Sequence, residues 1–507
     1  MNTPAPIATD TIADASPDAT SVAPVAPHAP YAPETPTPTT LSLRETLALL
    51  ASKLDGRLAV PGDPGYDADR TAWNLAVDQR PVAVVTAASA DDLVNTVRIA
   101  RSAGLAVAAQ ATGHNAGPLT DRGLLSDAIL VRTSEMRAVT VDADERVARV
   151  EPGAQWGDVV AAVSQYGLTA LSGSSHDVGV AGYTLGGGLS WLARAYGIAA
   201  NHVTAIEIVT ADGRLRRIDA DRDADLFWAV RGGGGDFGVV AAFEFRLYEI
   251  PQIVAGTLFF PFERAEEVLQ AWREWTTTVP DSVTSVGRLL QFPPLPDLPA
   301  FLSGKSYVVV EAAILESPAR ADELLAPLRA LGPTIDSVHP QATSELLQLH
   351  MDPPAPVPGY GDGLMLIELS ADTVSAFVRA AGPGSGSTLL SAEIRHLGGA
   401  VKPDAARANA DRLGLPQPGV TAGFEAEYLV FGVGIPTPGE IGALAASVDR
   451  LVTALDPWRA DLEYLNFAER VRDPEAFFGE RLAKLRQVKR AYDPTRVIRS
   501  NHPVDGI

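Results

Sequence analysis

Two glycine-rich loops, AVAAQATGHNAGPLTDRG (residues 106–123) and SGSSHDVGVAGYTLGGGLSW (residues 172–191), constrain this 507-residue chain more than any other feature. Glycine reaches backbone angles that other residues avoid, so each loop can bring its N–H groups close to a phosphate or a flat ring. An apolar run, Leu105 to Ala109, predicts a strand that delivers the chain into Thr112, Gly113, His114, Asn115, Ala116 and Gly117. His114 thereby places a nucleophilic nitrogen inside a loop shaped for a ligand. A Gly-His pair on its own is ordinarily a turn with a solvated histidine. GGGLSW and RGGGGDFG do not match the dinucleotide fingerprint GxGxxG, and no GxxxxGK[ST] occurs. Nicotinamide-type and P-loop readings therefore fail.

The segments around the loops decide how His114 is read. PVAVVTAASADDLVNTVRIARSAG (81–104) predicts a strand and a helix, with Ser89 and Asp92 as a capping box and Gly104 as a stop. VARVEPGAQWGDVVAAVSQYG (147–167) predicts a second strand and helix around Trp156. NHVTAIEIVTADGR (201–214), DLFWAVRGGGGDFGVVAAFEFRL (225–247), YLNF (464–467) and VKRAYDPTRVIRSNHPV (488–504) complete the series. In this order the segments resemble the FAD-binding domain of the vanillyl-alcohol oxidase, or PCMH-type, superfamily and its berberine-bridge-enzyme-like branch.

That resemblance implies FAD bonded covalently to His114. It implies flavin contacts from Gln110, Ala111, Thr112, Gly113 and Asn115 in the first loop. From the second loop it implies Ser172, Gly173, Ser175, Asp177, Val178, Gly179, Gly182 and Tyr183, and from elsewhere Val240, Asn466 and Asn501. Bicovalent relatives carry a cysteine where VGVAG places Ser175. Serine forms no thioether, so the expected bond runs through His114 alone. Val178 falls beside the flavin carbon that meets oxygen, where small branched residues go with oxidases. Tyr183 stands where plant-like relatives often have a histidine.

Composition narrows the function further. A net charge of −21 argues against nucleic acid, which needs clustered Lys and Arg. With no cysteine there is no disulfide and no thiolate metal site, and the eight histidines show no HExxH spacing, so no metal is expected. Residues 1–40 hold nine of the 39 prolines, no Lys or Arg and four acidic residues. They predict a disordered tail rather than a signal peptide. No apolar run approaches the ~20 residues that cross a bilayer, and the expected setting is the cytoplasm.

The expected fold is α+β: a two-part PCMH-type FAD-binding domain plus a substrate domain whose antiparallel sheet is covered by helices. The boundaries are 1–40 for the tail, 41–250 for the FAD domain and 251–457 for the substrate domain. A segment over 458–507 returns to complete the FAD domain. TLFFPF (257–262), YVVVEAAIL (307–315), LLSAEIRHLGG (389–399) and FEAEYLVFGVG (424–434) predict the sheet strands.

Catalytic candidates come from YLNF and from that sheet. Relatives place a tyrosine like Tyr464 near the flavin nitrogen that accepts hydride. A phenol has a reference pKa of about 10, so base work requires a cation or the flavin to lower it. The plain alternative is a buried tyrosine with a satisfied hydroxyl. Asn466 points either to the other face of a strand or toward the flavin. Period-two geometry puts Glu393 and Arg395 on one sheet face, Ile394 and His396 on the other. Glu427 follows Glu425 on the neighbouring strand, and an ion pair of Arg395 with either is the plain account. The sharper one has Arg395 lower a base's pKa or order an anionic intermediate. The expected activity is an FAD-dependent oxidase that passes electrons from a small organic molecule to O2. A dehydrogenase with another acceptor and a non-catalytic flavin- or ligand-binding protein are the alternatives.

Overall fold

The computed structural model describes residues 41–294, 296, 299–436 and 439–506, and the proline-rich segment 1–40 lies outside them. The architecture is α+β, built on three sheets.

The first sheet runs Arg57–Ala59, Ala83–Thr86, Ala128–Arg132, Ala106–Gln110, Ile498–Arg499. Its inner strands pair in parallel and are buried on both faces, which is why they read as unbroken Ala/Val/Ile/Leu runs. The helix Ala90–Ser102 packs on it, with Ser89 Oγ accepting from the Asp92 backbone N–H. The reciprocal half of the expected capping box is missing. The Asp92 carboxylate instead takes N–H groups of Asp55, Gly56 and Ala88, tying the preceding segments together.

The second sheet is antiparallel, in the order Val139–Asp142, Val147–Val150, Val239–Arg246, Val203–Val209, Leu215–Asp219. Its core includes Trp156 and Phe243 together with Phe477, Phe478, Leu485 and Val504 from the last fifty residues. Lys489 fastens that segment, donating to Asp493 Oδ2 at 2.8 Å and to the carbonyls of Asp236 and Ile498.

The third sheet has eight antiparallel strands. Its path runs Ile335–Asp336, Gln252–Pro261, Ser306–Ile314, Val283–Gln291, Ser391–His396, Tyr428–Gly434, Tyr360–Leu366, with His339–Ala342 pairing Gln252–Ala255. Helices Ala265–Thr276, Pro318–Arg329, Ala371–Ala381 and Ile441–Leu455 cover one face through an apolar core centred on Trp272, Phe260 and Phe377. Two expected strands are shorter than their sequence patterns. The strand over 389–399 stops at His396 because Gly398 and Gly399 turn away with positive φ. The one over 424–434 begins only at Tyr428, since Phe424 pairs instead with Val401.

Candidate active site

The strand Ala106–Gln110 ends in the first glycine loop, and the second loop packs directly against it. A Cβ added at Gly179 would lie 3.0 Å from Ala111 Cβ and 3.4 Å from Thr112 Cγ2, so a side chain there would push the loops apart by a few tenths of an ångström. Gly113 takes φ +86, open to glycine at little cost. Its carbonyl and that of Thr112 accept from the backbone N–H groups of Asn74 and Trp73.

His114 sits where the loops meet, half-buried and stacked on Trp73 with ring centroids 4.1 Å apart. Its Nδ1 is 2.7 Å from Thr112 Oγ1, and its Nε2 is 3.8 Å from Asp177 Oδ1. Asp177 is fixed in turn, accepting from Trp73 Nε1 at 2.6 Å and from Ser175 Oγ at 2.8 Å. Burial pushes the Asp177 carboxyl up, but the neighbouring His114 and the donors on Ser175 and Trp73 outweigh it and hold it at about 2. No motif or periodicity marked Trp73 in advance.

The other expected cofactor residues divide into two groups. Asn115 joins the closing segment, donating from Nδ2 to Ala468 O at 3.1 Å, while Asn501 Nδ2 donates to the Asn115 carbonyl. Ser172, Gly173 and Gly182 line the second loop or the short helix after it, and a Cβ at Gly173 would press on the Tyr183 ring. Val178 is half-buried, its carbonyl taken by Trp156 N–H. Tyr183 donates to Leu171 O at 3.1 Å. Two residues are placed otherwise than a direct side-chain contact requires. Gln110 turns its amide to Gln79 and Arg132, and the Val240 side chain lies in the apolar core of the second sheet. Only their backbones remain for a ligand.

Tyr464 is buried beside the GGG stretch. Its hydroxyl oxygen accepts from Leu189 N–H at 3.1 Å and from Asn466 Nδ2 at 3.0 Å. Asn466 is on neither face of a strand, because Leu465–Phe467 is a 3-10 turn that folds its amide back onto Tyr464 and onto the Tyr183 carbonyl. A Cβ at Gly186 would fall 1.8 Å from Asn466 Oδ1, so this arrangement needs glycine there. Burial drives the phenol up to about 12, against the Asn466 amide, the Arg395 charge and the backbone N–H groups of Leu189 and Gly188.

Arg395 lies next to this group, its guanidinium carbon 4.8 Å above the Phe467 ring, which itself packs on Tyr464. Its ion pair is with Glu393, Nε to Oε1 at 2.7 Å, two residues away on the same face. The expectation of a partner on the neighbouring strand is corrected. Glu425 is exposed, and Glu427 lies before the strand starts, its carboxylate 2.7 Å from Lys402 Nζ. Glu427 is therefore drawn away from Arg395 by a nearer cation.

Behind Arg395 lies a buried ionic cluster. Strand register sets Glu393 opposite Arg288, and Val286, opposite Arg395, also faces Glu311 on its other side. His350 bridges the two carboxylates, Nδ1 to Glu311 Oε2 and Nε2 to Glu393 Oε2, both at 2.7 Å. Arg288 Nη1 donates to Glu311 Oε1 at 3.1 Å and to the His350 carbonyl at 2.6 Å. Burial and Arg288 push the His350 imidazole down, but Glu311 and Glu393 prevail and raise it to about 9. Glu393 is held well below the carboxylate range: burial opposes this, and Arg395 and His350 overcome it. His350 and Arg288 were missed from sequence. The one available signal was a single charge inside each of two apolar strands, Arg288 in VTSVGRLLQ and Glu311 in SYVVVEAAI.

A small, partly open cavity lies between these groups, bounded by Ser174, the Leu189–Trp191 stretch, Val286, Arg395 and Leu397. Around it and the loops, Asn115 Oδ1, Thr184 Oγ1 and Trp191 Nε1 are buried and have no partner among the described residues. Leaving such an atom unpaired costs about 1–3 kcal/mol, so the site is built for a ligand with polar edges along its length. The glycine-walled loops and these free donors and acceptors fit FAD.

The fold and site define a flavin-binding oxidoreductase, and comparison with known proteins agrees. Residues 81–219 match the FAD binding domain family, and residues 463–505 match the berberine and berberine-like family. Together these matches support a PCMH-type FAD-linked oxidoreductase of the berberine-bridge-enzyme-like branch. It is 28% identical to the uncharacterized FAD-linked oxidoreductase YgaK of Bacillus subtilis (strain 168), covering 88% of this chain and 96% of that one. Over 206 residues it is 34% identical to (R)-6-hydroxynicotine oxidase of Paenarthrobacter nicotinovorans, 40% of this chain and 44% of that one. In fold it is similar to Physcomitrella patens BBE-like 1, with TM-score 0.76 and 18% identity over 90% of this chain and 98% of that one. Among the described residues no helix is long and apolar enough to cross a membrane.

Proposed function

We propose that this chain is a flavoprotein oxidase that holds FAD covalently through His114 and oxidises a small organic molecule in the cavity beside Tyr464. The observation that carries the reading is the Trp73–His114–Asp177–Ser175 cluster, which prepares one imidazole nitrogen for bond formation. An ionised Asp177 beside Nε2 favours the tautomer with its proton there, which leaves the lone pair on Nδ1 beside the Thr112 hydroxyl. Stacking on Trp73 fixes the plane of the ring.

Bound FAD supplies a two-electron acceptor for a C–H bond next to oxygen or nitrogen and passes the electrons to O2, giving hydrogen peroxide. Tyr464 takes the proton from the substrate's O–H or N–H. Two N–H donors already aim at its oxygen and stabilise the phenolate as it forms, in the manner of an oxyanion site. Because burial holds the phenol at about 12, the oxidation rate should rise with pH across the range the protein tolerates, without a plateau.

Val178 supports oxygen as the acceptor, being small and incompletely buried. On a protein of this fold, the grass pollen allergen Phl p 4, the wild type is described as a glucose dehydrogenase and an isoleucine-to-valine variant as a glucose oxidase.

The test separates the parts. Acid precipitation should leave flavin in the wild-type pellet and release it from His114→Ala, and flavin retained by the variant refutes the link. Tyr464→Phe should slow anaerobic flavin bleaching by substrate about 10²–10⁴-fold. Val178→Leu should slow reoxidation in air and spare bleaching. A wild type that reacts poorly with oxygen yet bleaches normally is a dehydrogenase instead.

A further inference from the structure

We propose that the cavity binds a substrate bearing a carboxylate, and that Arg395 grips it through the paired Nη1 and Nη2 edge of its guanidinium. The inference rests on reading the cavity as the substrate chamber of a flavin enzyme.

The argument is an accounting of donors and acceptors in the cluster behind Arg395. All four oxygens of Glu311 and Glu393 are taken: by Arg288, by the two nitrogens of His350 and by Arg395 Nε. With both His350 nitrogens facing carboxylates at 2.7 Å, the ring is an imidazolium that donates from each side. The 3.2 Å approach of Arg395 Nη2 to His350 Nε2 then joins two donors, so it is no hydrogen bond. Nη1 has no partner among the described residues. Every negative atom of the cluster is turned inward, and the bidentate edge of one cation is left over.

That edge belongs to a residue lining the cavity. The other titratable group in the lining, His396, is pushed down to about 3 by burial and by Arg194, and is neutral. Arg395 is thus the one charge the lining presents. Asp352, which accepts from Ser174 Oγ at 3.1 Å, acts on Arg395 through its charge but forms no ion pair with it among the described residues. Leu189, Trp191, Val286, Leu397 and Val401 form apolar walls around the guanidinium. A planar two-oxygen anion on an aryl or alkyl body satisfies both the fork and the walls, whereas a cation meets the repulsion of Arg395.

Benzoate, its neutral isostere benzamide and the cation benzylamine provide the test, by calorimetry on the purified full-length chain. Wild type should bind benzoate at least about tenfold more tightly than benzamide, and benzylamine not at all. Arg395→Met should bind benzoate and benzamide alike. Arg395→Lys keeps the charge without the fork, and its preference should fall between the two. If Arg395→Met does not fold, the wild type and Arg395→Lys decide. No benzoate binding by wild type, equal binding of benzoate and benzamide, or a preference that survives in Arg395→Met overturns the proposal. Flavin content is scored separately. A colourless protein that still prefers benzoate refutes the oxidase reading and leaves the carboxylate site standing.

Discussion

The two glycine loops and the inner face of the eight-stranded sheet build their proposed sites by opposite means. In the loops the backbone carries the design. At Gly113 and Gly186 a side chain would collide or a backbone angle would strain, at Gly179 it would crowd Ala111, and His114 is held by Thr112 beside it, Asp177 across the loop contact and Trp73 from an earlier segment. On the sheet the side chains carry it. Arg288, Glu311, Glu393 and Arg395 come from three strands, and His350 arrives from a separate loop to close the cluster. A site made of backbone shape tolerates little change in geometry. One made of buried charge tolerates little change in charge.

The largest expected effect tests the charge side. Glu311→Gln keeps the shape but leaves Arg288 and His350 facing a neutral amide in a fully buried place. Removing one partner of such a pair should cost about 3–5 kcal/mol of stability, measured by denaturant unfolding. A loss like that of an exposed pair would erase the contrast between the two regions.

Gly186→Ala tests the shape side. The new methyl must displace Asn466, which loses its place on the Tyr464 hydroxyl. A shift of this size near the reacting groups should slow anaerobic flavin reduction about 10²-fold, with the melting temperature changing much less. Equal losses of rate and stability would mean that Gly186 serves the core rather than the site.

The smallest effect is a pH dependence of opposite sign in the two regions. His350 has its folded pKa raised to about 9. Its contribution is complete below the unfolded value of about 6.5 and is lost as pH rises through 9. His202 and His502, packed around the flavin half, are pushed down by burial to about 4, so their contribution is complete above about 6.5 and is lost as pH falls toward 4. Melting temperature should fall on both sides of a maximum, and His350→Gln should flatten the alkaline side alone.

How much could be read in advance follows the same division. The glycine loops, His114, the parallel strands and the order of segments were legible because their reasons are local. A turn needs glycine, a doubly covered strand needs an apolar run, and a helix needs its cap. Tyr464 was legible as a residue but not in its setting. The turn that folds Asn466 onto its hydroxyl depends on Gly186, nearly three hundred residues away. Glu427 misled because alternation along one strand says nothing about Lys402, a nearer cation. His350 had no periodicity to mark it, since its meaning comes from two carboxylates on two strands of a sheet it does not belong to.

The short strand Ile498–Arg499 pairs in parallel with Ala106–Gln110, the strand that feeds the His114 loop, and Asn501 reaches the Asn115 carbonyl from just beyond it. On a ribosome adding about 5–20 residues per second, some 390 residues are made after His114 before that neighbour exists. The loop must wait roughly half a minute or more at the slower rates for the strand that braces it. Bracing of that loop is thereby tied to the last stage of synthesis, so a chain interrupted just before residue 498 is nearly complete in length and still lacks the braced loop.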